Sequence, residues 1–480
     1  MRALRPYLVF TIVFIVSRVG FYAAGLRFST EHVGEMMHFL PPSLLQDDLA
    51  RSLLYMHSQP PLMSVFMGLT MKLFPGHYEF AFASVFALIG LGFGWIQMAL
   101  FERLRFPARI GLAVACAYAL LPQTVVFEHY FFFTHILAFL MLASALLLAR
   151  ALERPTGPRW LSFFLLIAVI VNFKSAFHLI WMVLLGVAAF VCLPRVKHRT
   201  VAVALALPLL LGGAWYAKNL VMFGHFQSSS WMGFALAFKS YRGIPVSERR
   251  RRAQRGELAP VTAANIYGGV DEYARALGVD LARDRTDVPL LEMKRKASGQ
   301  HNFHHRIYIE ANQAIAAEAW RLIRSDPGPY LEDVRKSLRY FGKPATDYRP
   351  VNTPYRQIQR YCDAVNTLLH DRWGGYGLCL WTLMMLSCMV FMVPRLIAFA
   401  RAPRSQSVED LVYIYMALTA LYVYVLLIFL DSGETHRQRM VVDPFIVTCF
   451  ALDLRRLWRR RARRRAPAQT SDSAPEPSPT

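Results

Sequence analysis

Apolar segments of membrane-crossing character recur along this chain, and arginines gather at particular ends of them. These two patterns constrain the fold more than any motif. The segments run near 7–24, 80–100, 110–121, 131–148, 160–173, 177–192, 201–216, 376–397, 411–430 and 441–452. A hydrocarbon core of about 30 Å needs about 20 helical residues at about 1.5 Å each. Several segments are shorter, so they borrow flanking residues or sit in thinned bilayer. The first, behind Arg2 and Arg5, has a signal-like shape with Ala23-Ala24-Gly25 as a cleavage site. Because further spans follow, it reads as an uncleaved anchor.

Segment 61–74 decides the topology. If it crosses, the loops holding Arg103, Arg105 and Arg109, then Arg150, Arg154 and Arg159, then Arg195, Lys197 and Arg199, all face outward. If it is an outer re-entrant or interfacial helix, those loops become cytoplasmic. They then join Arg395, Arg401, Arg404 and the arginines of 455–465, as the positive-inside rule requires. Its bounding Pro60-Pro61 and Pro75-Gly76 also suit a helix that does not cross. The expectation is an all-α polytopic membrane protein with about ten transmembrane helices, an outer interfacial helix and both termini cytoplasmic. A mostly helical soluble extracytoplasmic domain interrupts it, with a helix expected near 308–323. The divisions are 1–223 (transmembrane module with outer loops), 224–373 (soluble domain), 374–455 (last transmembrane helices) and 456–480 (basic, then low-complexity disordered tail).

The 54 Lys and Arg against 32 Asp and Glu give a net charge of +22, which raises nucleic acid as a partner. The placement of the arginines at segment ends answers that: they read membrane orientation, and no nucleic acid is expected. The six cysteines are scattered, and only Cys362 lies in the long polar region, so no disulfide forms within it. There is no internal repeat of the kind an inverted-repeat transporter carries.

The outward residues carry the chemistry. The first outer loop holds Glu31, His32, Glu35, His38, Asp47 and Asp48, then His57-Ser58-Gln59-Pro60-Pro61-Leu62. Carboxylates beside a bilayer suit the removal of a proton from an attacking hydroxyl, although such groups are also what a solvated loop contains. Glu128 sits where a segment meets water, and a carboxylate there needs a partner or a task. The aromatics 130–133 read as an interfacial belt. Arg437 and Arg439 fall on the side where arginine is disfavoured; a bidentate grip on a phosphate would account for them. Lys218, Lys174 and His57 are further candidates for that grip. Glu31, His32, Glu35 and His38 have helical metal-ligand spacing, and Asn302, His304 and His305 form a second cluster. No metal site is assigned to either, and a divalent cation stays open as a cofactor.

Four elements in order resemble the GT-C superfamily of membrane glycosyltransferases. Within it, the chain is similar to bacterial proteins related to the protein O-mannosyltransferases and the aminoarabinose transferase of lipid A. The elements are Asp47-Asp48 ahead of His57-Ser58-Gln59-Pro60-Pro61-Leu62, and Phe127-Glu128-His129-Tyr130. Next come Lys218-Asn219-Leu220 with Phe223-Gly224-His225-Phe226, and Gly433-Glu434-Thr435-His436-Arg437-Gln438-Arg439 ahead of Asp443-Pro444. The resemblance implies a polyprenyl-phosphate-linked sugar donor, a glycan, lipid or protein acceptor, and inverting transfer. It also implies the bacterial cytoplasmic membrane, with the site on the extracytoplasmic face. By position Asp48, with Asp47 beside it, takes the base role, Glu128 is the second-loop acid, and His57, Gln59, Lys218, Arg437 and Arg439 bind substrate. The first loop is longer here than in the family, which leaves Glu31 and Glu35 open as the base. A lipid-linked glycan transporter, flippase or polymerase is the alternative reading.

Overall fold

The computed structural model describes residues 4–465 apart from 242, 284, 371–378 and 432. The boundary expected at Trp373, the start of the segment at Tyr376 and the tail beyond Arg465 lie outside those residues. The described residues form helices and no strands, only two isolated bridges. The first half holds α1 (Arg5–Ala23), α2 (Pro42–Asp47), α3 (Leu49–Tyr55), α4 (Leu62–Leu73), α5 (Tyr78–Arg103) and α6 (Ala108–Ala119). It continues with α7 (Pro122–Glu128), α8 (Phe133–Glu153), α9 (Gly157–Phe173), α10 (Leu179–Cys192) and α11 (His198–Phe223). An insert follows with α12 (Met232–Ser240), α13 (Val246–Gln254), α14 (Val270–Leu277), α15 (Pro289–Glu292), α16 (Ile307–Ser325), α17 (Gly328–Phe341), α18 (Asn352–Gln357) and α19 (Gln359–Leu369). The chain then returns through α20 (Leu380–Arg401), α21 (Val408–Leu430), α22 (Thr435–Arg439) and α23 (Asp443–Arg465).

Six helices are long and apolar enough to cross a membrane, which makes this a multi-pass helical membrane protein. The α6–α7 pair adds a seventh if it counts as one broken span; α4, α9 and α10 are apolar but shorter. The break bends the pair by 63°. Its cause is local: Pro122 lacks an N–H, and the residue before it, Leu121, is pushed to an extended backbone.

The main apolar cluster draws on α4, α5, α8, α9, α20, α21 and α23, together with the first-loop residues Leu40, Leu44 and Leu45. A separate cluster, around Phe234, Tyr273, Phe303, Tyr308 and Ile315, fills the insert. Glycine permits the tightest helix approach. A Cβ on Gly94 of α5 would lie 2.0 Å from the Phe10 ring of α1.

Polar contacts sort the turns into two groups. At one end Arg103 pairs with Glu153, and Arg455 reaches the Leu104 carbonyl and Glu409. Arg395 joins Asp410 and Asp453 there, 3.2 and 3.4 Å away. At the other end the Ser29–Tyr130 bridge, Arg51–Asp287 and Thr353–Glu31 tie the first loop to the second loop and to the insert. We call these the arginine-rich end and the insert end. Helix α4 touches the insert end twice. Gln59 ahead of it bonds Ser175, and Glu79 just after it accepts from Thr30 at 2.8 Å.

Candidate functional site

The expected site residues fall into separate groups at the insert end. Asp48 lies at the kink between α2 and α3, with φ −136° and ψ 46°; it is half-buried and its neighbour Asp47 is exposed. Neither carboxylate has a side-chain hydrogen bond or ion pair among the described residues. The residue that does bond from this segment is Arg51, 2.6 Å from Asp287.

His57 is 2% exposed and fully partnered. Its Nδ1 lies 2.6 Å from Ser230 Oγ and its Nε2 donates to the His304 carbonyl at 3.0 Å. Burial drops its pKa to about 3, so the ring is neutral and fastens the first loop to the insert. Gln59 accepts from Ser175 at 3.3 Å. Lys218 donates to the Met56 carbonyl at 2.6 Å, with its ammonium 3.7 Å over the Trp215 ring. His57, Gln59 and Lys218 therefore converge on one short stretch of backbone, and these hydrogen bonds tie them to other parts of the protein.

Glu128 is buried and both its oxygens are taken by Arg18 of α1, the Nε contact being 2.9 Å. Arg18 also donates to the Ala119 carbonyl at 3.0 Å, so this pair binds α1 to the α6–α7 break. The aromatics 130–133 are not a lipid-facing belt. All four are buried, because the Ser29–Tyr130 bridge pulls the segment under the first loop.

Arg437 and Arg439, two residues apart, meet different surroundings. Arg439 is fully buried; its Nε lies 3.0 Å from Asp443 Oδ1, and its Nη1 donates to the carbonyls of Phe341 and Lys343. Arg437 is 2% exposed and lies against the rings of Phe132, Phe133 and Tyr348. It donates to Thr134 Oγ1 at 3.2 Å and to Glu434, while its buried Nε has no partner. A buried guanidinium N–H left without an acceptor is costly, about 1–3 kcal/mol or more.

Lys174, at the end of α9, sits beside Arg437. Its ammonium lies 4.2 Å over the Phe133 ring and has no hydrogen bond among the described residues. Burial, then the nearby Arg437, lowers its pKa to about 8. It lines a narrow apolar cleft together with Leu137, Phe177, Tyr422, Val423 and Leu427. Two carboxylates complete the cluster: Asp431 at the end of α21, which the sequence did not single out, and Glu434, which it named only as part of the fourth element. Burial and the Glu434 charge raise Asp431 to about 7. Glu434, despite a burial that works the other way, is held low by the Arg437 guanidinium. Asp431 did carry a signal: like Glu128, it is a carboxylate where an apolar run ends.

Of the candidate metal ligands, His32 lies 3.1 Å from Glu35, Glu31 accepts from Thr353, and His38 packs on Trp231. Asn302, His304 and His305 are buried in the joint between the insert and the first loop. Among the described residues no three His, Cys, Asp or Glu side chains converge as a metal site.

Comparison with known proteins returns no matching family model, no matching curated protein and no matching solved structure.

Proposed function

We propose that this chain is an integral membrane glycosyltransferase using a polyprenyl-phosphate-linked sugar. The insert end faces outside a bacterial cytoplasmic membrane, and the arginine-rich end faces the cytoplasm. In this reading α1, α5, α6, α8, α9, α10, α11, α20, α21 and α23 span, and α4 lies at the outer face. The insert from about 224 to 373 frames a glycan, lipid or protein acceptor.

One observation carries the reading: Lys174, a cation with no hydrogen bond among the described residues, lines an apolar cleft, and Arg437, with a buried unpartnered Nε, stands beside it across the Phe133 ring. A prenyl phosphate has that shape, an anionic head on an apolar chain. Cations aimed at the bridging phosphate also stabilise the charge that develops as the sugar–oxygen bond breaks. The acceptor hydroxyl then needs a base, and Asp48 with Asp47 supplies the unpartnered carboxylates that the resemblance to the GT-C transferases nominates. Glu128, Arg439, Lys218, His57 and Gln59 act in this reading by holding the outer loops in place. A divalent cation is not needed for it.

The test is binding of an undecaprenyl monophosphate to the purified full-length protein in detergent, followed by envelope analysis. Arg437→Ala should weaken binding on the order of tenfold to a hundredfold, the worth of a charged hydrogen bond, and Arg437→Lys should recover part of it. Mass spectrometry of surface glycans, lipids and proteins should show one sugar missing from cells without the gene. Normal glycans together with altered sidedness of a lipid-linked glycan would give the function to a flippase instead. Cysteine labelling checks orientation: Gln46 and Ser298 should react from outside, Arg105 and Arg154 from inside. Finding Ser298 and Arg105 on one side would remove the topology.

A further inference from the structure

The Lys174–Arg437 cluster contains more negative charge than an anion site needs. Glu434 is matched by Arg437. Asp431 is not matched in this way: its Oδ2 is buried without a hydrogen-bond partner, while its backbone carbonyl is fixed by the Ser337 hydroxyl at 3.1 Å. It caps α21, the helix whose Tyr422, Val423 and Leu427 wall the cleft headed by Lys174. The charged groups that face it are Glu434 and Arg437 from α22 and the turn before it, Lys174 from α9, and Lys239 from α12. Lys239 is itself paired with Asp333 of α17 at 3.0 Å.

We infer that Asp431 is the proton-binding partner of the anion site, taking up a proton when a lipid phosphate occupies the cluster, so that phosphate affinity depends on pH. This rests on the reading of the cluster as a lipid-phosphate site. The charge count gives the reason. Lys174 and Arg437 balance Asp431 and Glu434, so a phosphate dianion entering the site brings an uncompensated excess. Neutralising Glu434 would break its ion pair with Arg437, whereas neutralising Asp431 breaks no side-chain bond at Oδ2. Asp431 is the carboxyl that can be protonated at least cost. Burial and Glu434 already hold it at about 7, so the proton is available near neutral pH. The same proton balance fits the proposed transfer. The acceptor oxygen bonds the anomeric carbon and gives its proton to the base, Asp48 in this reading; the bond from that carbon to the phosphate oxygen breaks, and its electron pair stays on a phosphate that goes from monoanion to dianion. A proton taken up from solvent by Asp431 then leaves the net charge of the phosphate site unchanged.

The experiment is calorimetric binding of undecaprenyl monophosphate to the full-length protein in detergent from pH 8 to pH 6. One linked proton changes affinity by at most about tenfold per pH unit. Wild-type affinity should rise on the order of tenfold as pH falls across that range. The second ionisation of the probe, near about 6, works in the opposite direction. Asp431→Asn should bind several-fold more tightly than wild type at pH 8 and lose the rise toward pH 6. Glu434→Gln should keep that rise. If Asp431→Asn does not fold, proton uptake by wild type, from binding heats in two buffers of different ionisation enthalpy, decides. A substantial fraction of one proton at pH 7.5 supports the inference, and none overturns it. Equal pH dependence in wild type and Asp431→Asn also overturns it, while the function proposal stands if Arg437→Ala still weakens binding on the order of tenfold or more. Failure of wild type to bind the probe at any pH removes both.

Discussion

The loop around His57 and the turn from Asp431 to Asp443 both place many polar side chains at the insert end, but they satisfy them differently. Around His57 the polar groups close on one another: His57 with Ser230 and His304, Ser229 with the Ser58 carbonyl, Lys218 with the Met56 carbonyl. What stays open in that loop is the unpartnered pair Asp47 and Asp48. In the later turn, both arginines keep one buried N–H without a partner, and they differ in what holds the rest. Arg439 is held by Asp443 and two carbonyls and leaves its buried Nη2 without a partner, whereas Arg437 reaches Thr134 and Glu434 and leaves its buried Nε unpartnered beside Lys174 and Asp431. A dense run of polar residues therefore says little about chemistry; the groups left without protein partners say more.

The comparison breaks first at Asp48. If the first loop supplies the base, Asp48→Asn should cut sugar transfer by about a hundred- to ten-thousandfold, or roughly 3–5 kcal/mol of barrier, with lipid-phosphate binding intact. Normal transfer in an Asp47→Asn, Asp48→Asn double variant leaves that pair only a framework role and moves the base search to Glu31 and Glu35 earlier in the loop and to Asp431.

The contrast between the two arginines is the next largest effect. Arg439→Ala or Asp443→Ala strands a fully buried charge, which costs about 3–5 kcal/mol, and the detergent-solubilised protein should melt far earlier or fail to accumulate. Arg437→Ala leaves only a partly exposed carboxylate behind, so the protein should accumulate and lose phosphate binding instead. Equal melting losses in both would erase the distinction.

Acid tests the closed loop. His57 has a folded pKa of about 3 against an unfolded value near 6.5, so between those values the unfolded chain binds a proton that the folded chain does not. Stability from this residue is complete above about pH 6.5 and falls as pH drops, by about 1.4 kcal/mol per unit. Buried His38 and His304 are shifted in the same direction by burial. Melting temperature should fall between pH 7 and pH 5, and His57→Gln should be less stable at pH 7 yet lose less on acidification. A pH-independent melting temperature in wild type would contradict this joint.

The smallest effect sharpens the roles of the lysines. Lys218→Met should lower stability by about 1–3 kcal/mol, because the Met56 carbonyl loses its charged donor, and leave phosphate binding unchanged. Lys174→Met should do the reverse.

Much of the architecture was legible because a bilayer imposes rules that single residues obey. The apolar segments at 80–100, 201–216 and 411–430 fall inside α5, α11 and α21, and the stretch 308–323 falls inside α16. Pro60-Pro61 and Pro75-Gly76 marked the bounds of α4, since proline sets backbone angles whatever surrounds it. Partnership was not legible, because it joins positions far apart in the chain. Nothing near Glu128 announces Arg18, 110 residues earlier, as the group that holds it. Nor does the run Thr435-His436-Arg437-Gln438-Arg439 say which arginine pairs with a fully buried carboxylate. That depends on where α17 and α23 pass, since Phe341 and Asp443 reach Arg439 while Glu434 and the ring of Phe133 flank Arg437. The sequence set which segments are apolar and at which end each charge lies; packing alone decided which of those charges were neutralised, because neutralisation needs a partner within about 3 Å.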